Sequence, residues 1–171
     1  MPTDRRAMPA IEQDISRGGV LSPGEGRSLW FQGNLMTIKV AGEHTDDAVA
    51  VVEGVFRAGH GPPLHVHRNE DELFFLLDGQ MLVSCDGRTF TAQTGDLVFL
   101  PRGIPHAFKV PADGGPARAL FLVTPARFLS FIEAVSEPAP EAVMPPDQEY
   151  DIARTEALAD DYQFEVVGPP L

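Results

Sequence analysis

His65 and His67 flank a single valine, Glu72 follows five residues later, and His106 stands in a later block with its own glycine and proline punctuation. This spacing constrains the chain more than any other feature, because it suits strands. Residues two apart on a strand point to the same face, so His65 and His67 project together. Glu72 and His106 are then expected on later strands of the same curved sheet, where the four side chains converge on one metal site.

The residues around the histidines agree with an all-β body. Sixteen glycines and sixteen prolines in 171 residues favour turns between short strands, in a length suited to one domain with a proper core. Residues 29–31 and 35–40 read as strands joined by Gln32, Gly33 and Asn34. Residues 48–57 continue the β pattern, 59–63 break it, and the next strand carries the histidine pair. The run ELFFLL at 72–77 is densely apolar, as in a strand covered on both faces. Asp78–Gly79 and Asp86–Gly87 are hairpin turns around a strand at 80–85, and further strands are expected at 89–92, 97–100, 106–110 and 119–124.

The pattern changes after Pro125. Phe128, Leu129, Ile132 and Val135 recur at helical spacing within 126–135, and 136–146 is a proline-rich connector. Residues 147–162 read as a second helical stretch, and the tail at 163–171 can add a short extended segment. The expected organisation is an N-terminal arm over 1–27, a β-barrel over 28–125 and a helical extension over 126–171 that packs on the barrel.

Charge excludes some partners. Thirteen basic against twenty-five acidic residues leave a net charge of −12, which repels nucleic-acid phosphates and anionic lipid headgroups. No basic stripe offsets it, so no nucleic-acid partner is expected. No run approaches the roughly 18 apolar residues of a membrane span, and no signal-peptide core is expected at the N-terminus. The single cysteine, Cys85, has no intrachain partner for a disulfide, which fits a reducing, cytoplasmic setting.

The two blocks are GHGPPLHVHRNEDELFFLLDG, from Gly59 to Gly79, and GDLVFLPRGIPHAFK, with Gly95, Pro101, Gly103 and His106 in order. This pair resembles the two signature motifs of the cupin superfamily, with fifteen residues between the blocks. The one departure is Val110, where the second motif closes on asparagine. The resemblance implies a double-stranded β-helix (a jelly-roll barrel) holding one divalent metal through His65, His67, Glu72 and His106. Three imidazoles and a carboxylate suit Fe, Mn, Ni, Co, Cu or Zn without choosing among them.

The whole chain is similar to the quercetin-dioxygenase-like cupins, which implies oxygen chemistry on a small aromatic or enolic substrate, with dioxygen as co-substrate. Glu72 would double as a catalytic base. A non-redox isomerase, cyclase or lyase at the same metal is the alternative, and a small-molecule-binding cupin without turnover is another. The resemblance also implies a homodimer.

Strand alternation assigns further residues. With Glu72 inward, Phe74 and Leu76 share its face, while Leu73, Phe75 and Leu77 point outward to the extension or to a second chain. His106, Phe108 and Val110 share a face, so Phe74, Leu76 and Phe108 are candidates for a substrate pocket as well as for plain core. Glu70 and Asp71 are expected as solvated charges, His44 and His60 as loop histidines, Cys85 as a small buried apolar group, and Trp30 in the core or an interface.

Overall fold

The computed structural model describes residues 15–147 and 151–171. Most of the expected N-terminal arm, residues 1–14, lies outside that range, as do 148–150. Among the described residues the elements run β1 (Arg27–Phe31), β2 (Asn34–Val40), β3 (Ala50–Phe56), β4 (Pro63–His67), β5 (Asp71–Asp78), β6 (Gln80–Cys85), β7 (Arg88–Gln93), β8 (Leu97–Leu100), β9 (His106–Lys109), β10 (Ala117–Thr124), α1 (Leu129–Val135), β11 (Glu137–Pro138), α2 (Ile152–Ala159) and β12 (Phe164–Pro170). The fold is all-β with a small helical appendix.

The strands form two antiparallel sheets, ordered β11-β1-β2-β3-β10-β5-β8 and β12-β4-β9-β6-β7. Their inner faces pack on each other: Phe108 of β9 meets Phe56 of β3 and Phe74 of β5 edge-on, with ring centroids 5.3 and 5.1 Å apart. Alternation produces this core. In β3 every second residue from Ala50 to Phe56 is buried, and in β10 Ala117, Ala119, Phe121 and Val123 are.

Turn chemistry sets the register of two hairpins. Gln32–Gly33 and Asp86–Gly87 each carry positive φ at both central residues, 49° and 79° in the first and 53° and 69° in the second. That is the turn whose twist matches flanking strands. At Gly61 the need for glycine is steric: a Cβ there would stand 2.0 Å from the Phe108 carbonyl oxygen. The chain entering β4 therefore presses directly on the backbone of β9.

Three expectations change. The ELFFLL strand is covered on one face only: Phe74 and Leu76 are buried, while Phe75 is 39% exposed. The helices leave its outer face bare because they pack chiefly on β1, β12 and each other. The second helix is shorter than 147–162, beginning after Asp151, whose carboxylate accepts from the Arg154 N–H at 2.9 Å. The tail is a full strand, β12, paired along β4 so that Phe164 faces His67 and Val166 faces His65. Within the described residues no helix is long and apolar enough to cross a membrane.

Candidate metal centre

β4 places His65 and His67 on the inner face of the second sheet, and His106 at the start of β9 pairs directly with His65. Glu72 arrives from the opposite sheet. The expectation of a single curved sheet fails because the chain crosses between sheets over residues 68–70, joining β4 to β5. The centre is thus a clasp between the two layers. All four side chains are buried, and one donor atom from each lies within 4.8 Å of the others.

The donor set fits one metal ion. The Nδ1–H groups of His65 and His106 each donate at 2.8 Å to a carbonyl two residues earlier, Pro63 and Ile104. A carbonyl only accepts, so in the neutral form of both rings Nε2 is unprotonated and able to ligate. Glu72 Oε1 stands 3.1 Å from His67 Nε2 and Oε2 stands 3.3 Å from His106 Nε2. Neither nitrogen has hydrogen-bond geometry, and both are buried without a partner. Metal bonds of about 2.0–2.2 Å to nitrogen and oxygen would satisfy both. The identity of the metal is open among Fe, Mn, Ni, Co, Cu and Zn.

Charge in the centre is already arranged for a cation. Burial, with His67 and His106 close by, holds the His65 imidazole at about 3, so it is neutral near pH 7. Burial resists ionisation of Glu72, but His67 and His106 outweigh it and hold the carboxyl well below the usual carboxylate range. Burial likewise opposes charge on His106, and the adjoining Glu72 carboxylate raises it above the ordinary imidazole value.

A cavity opens from His65 and Glu72 between the sheets. Phe74 and Phe108 line it, with Phe56 and Phe121 beside them and Phe128, Phe131 and Phe164 from the C-terminal extension. Leu76 does not line it. It is fully buried two residues further along β5, where its N–H and C=O bond Asp96 and Gly95. The cavity holds about 60 Å³ of free space.

Several residues here escaped the sequence reading. Phe56 and Phe121 lie on inward positions of alternating strands, so alternation could have found them. Phe128, 4.1 Å from the His67 ring, and Phe164 come from segments with no local signal of proximity to the site. His60 is more than a loop histidine: it lines the cavity, and its Nδ1 is buried without a partner. Glu70, expected in solvent, is 2% exposed and lies behind His67, and burial raises its carboxyl above the usual range. Asp71 is held in a fork by Arg102, with contacts of 2.8 and 3.1 Å to Oδ1 and Oδ2 atoms from the backbone N–H and guanidinium. Cys85 is buried opposite His106, and burial pushes its thiol up.

Residues 52–123 match the family described as the cupin domain. The chain carries a cupin domain over that stretch, 72 of its 171 residues. This cupin is 31% identical over 91 residues to quercetin 2,3-dioxygenase of Bacillus subtilis, covering 53% of this chain and 27% of that protein. It is 36% identical over 62 residues to the acetate kinase EutQ of Clostridioides difficile, covering 36% and 38% respectively. The chain therefore spans well under half the length of these two curated relatives. Among solved structures, a predicted oxalate decarboxylase of Thermotoga maritima superposes with a TM-score of 0.57 at 17% identity, over 62% of this cupin and 98% of that chain. At that identity the likeness concerns the fold.

Proposed function

We propose that this cupin is a metal-dependent dioxygenase acting on a small aromatic or enolic substrate. The observation that carries the reading is the buried His65, His67, Glu72 and His106 cluster opening onto a phenylalanine-walled cavity. The stretch of similarity to quercetin 2,3-dioxygenase supports it.

A divalent metal held by the four side chains would supply Lewis acidity toward an oxygen of the substrate. The chain's own residues do the rest. Phe56, Phe74 and Phe108, with ring centroids 5.1–6.0 Å apart, exclude water and receive an apolar ring in an edge or offset contact. Glu72, ionised beside the cavity, takes a proton from the substrate's phenolic or enolic hydroxyl. His60 offers a polar contact on the cavity wall.

Oxygen uptake by metal-loaded protein, screened over catechols, β-diketones and flavonols, tests the reading. Uptake is expected with the smaller, single-ring or open-chain compounds, since the cavity is narrow. Background uptake throughout would count against it, and anaerobic turnover with zinc would establish the non-redox alternative.

We also infer that two copies pair. Leu73 faces Phe99 and Phe75 faces Leu97 across β5 and the edge strand β8. These are outward positions, and Phe75, Leu97 and Phe99 are 39%, 60% and 56% exposed. A contiguous apolar patch of this kind on a sheet edge favours a protein partner.

A further inference from the structure

Five buried side-chain nitrogen or oxygen atoms among the described residues have no hydrogen-bond partner: His60 Nδ1, His67 Nδ1, His67 Nε2, Glu70 Oε2 and His106 Nε2. The two Nε2 atoms face the metal position. Two of the remaining three face each other, for His67 Nδ1 lies 4.0 Å from Glu70 Oε2. We propose that Glu70 is a positioning residue for the metal centre: its carboxylate accepts the Nδ1–H of His67 and so directs Nε2 of that ring at the metal. The inference rests on the reading of the four residues as a metal centre.

The argument begins with the three histidines. A ring that ligates through Nε2 carries its proton on Nδ1, and a buried N–H needs an acceptor. His65 and His106 find theirs in the carbonyls of Pro63 and Ile104. His67 has no carbonyl in that role, and the nearby acceptor is Glu70. The separation exceeds hydrogen-bond range by about 1 Å, a distance that a small rotation of either side chain closes.

The backbone supports such a role. Glu70 sits in the crossing between sheets, and that crossing is pinned at both ends. The Arg68 N–H donates to the Gln163 carbonyl at 3.0 Å, and Asp71 is held by the Arg102 fork. The carboxylate is thus presented from behind His67 by a rigid segment and is itself withdrawn from solvent. Burial of a carboxylate oxygen such as Oε2 without a partner is unfavourable for folding. Its pairing with an imidazole N–H on metal loading removes that penalty, so Glu70 links the crossing to the occupied state of the centre.

The sign of the effect separates positioning from a structural role. Glu70→Gln keeps an acceptor oxygen in place, whereas Glu70→Met keeps the shape and removes it. Co²⁺ affinity is measured by competition with a chelator, beside thermal melts of the metal-free proteins. Glu70→Met is expected to bind Co²⁺ 10–100-fold more weakly, in the range typical of lost outer partners, and yet to melt at or above the wild-type temperature without metal. Glu70→Gln is expected to bind close to wild type. Unchanged affinity in Glu70→Met overturns the proposal, as does equal loss in both variants or a metal-free Glu70→Met that melts well below wild type. A wild-type protein that takes up no Co²⁺ would instead remove the metal centre itself.

Discussion

Phe164 and His67 are partners across β12 and β4, with ring centroids 5.9 Å apart and planes inclined by 29°. A residue seven positions from Leu171 thereby backs a candidate metal ligand 97 residues earlier. Phe164 also packs on Phe131 and Phe128, at 4.6 and 5.7 Å, so it ties the extension to the centre. Phe164→Ala is expected to destabilise the fold by about 3–5 kcal/mol, the usual cost of a large cavity, and to weaken metal retention by freeing His67. Thermal melts with and without metal would show it. A melting temperature equal to wild type would mean that β12 is not part of the stabilising core.

The metal-free centre has an optimum in pH. His65 is held at about 3 against an ordinary 6.5, so below pH 6.5 the unfolded chain gains a proton that the fold refuses. Stability then falls with acid, by at most about 1.4 kcal/mol per pH unit from this group. Glu72 acts in the same direction: its depressed carboxyl stabilises the fold above the ordinary 4.5 and loses that contribution as pH falls further. His106, raised above 6.5, does the opposite, since its contribution is present below 6.5 and disappears as pH rises through the folded value. Melts of the metal-free protein from acid to mildly alkaline pH should peak near the ordinary imidazole value. His106→Gln should flatten the alkaline limb, and a wild-type limb that survives in that variant would refute the assignment.

Metal content is the direct test of the four donors. Elemental analysis is expected to find close to one transition-metal ion per chain in wild type and little in His65→Ala or Glu72→Gln. Equal metal in wild type and both variants would place the ion elsewhere on this acidic protein.

The outward pairs Leu73–Phe99 and Phe75–Leu97 predict a dimer in solution. Light scattering should give about twice the chain mass of 18.6 kDa, and Phe99→Glu should return the protein to one chain by burying a charge in the interface. A wild-type mass of one chain would leave the patch without this partner.

Much of the architecture was legible locally. The hairpin at Asp86–Gly87 occurs where its dipeptide predicts it, and β5 turns Glu72, Phe74 and Leu76 inward as its alternation requires. The hairpin expected at Asp78–Gly79 is instead a crossing between the sheets, because β5 pairs with β10 and β8 while β6 pairs with β7 and β9. Glu70 was misjudged because a charged residue in a polar run carries no local sign of burial. Leu76 was placed on the cavity because alternation specifies a face but not how far along that face the free space extends. The opposite-sheet origin of Glu72 was equally hidden, since the crossing at 68–70 reads as an ordinary polar turn.

The division follows from the range of the forces involved. Which residues share a face is determined by the geometry of neighbouring peptide units, so the sequence by itself determined the strands, the turns and the side on which His65, His67 and Glu72 project. Which strands pair, and so whether β12 lies on β4, whether Glu70 is closed in behind His67 and whether Phe128 and Phe164 wall the cavity, was decided only by tertiary structure. Those contacts join segments distant in the chain, and they are selected by the burial of the whole core.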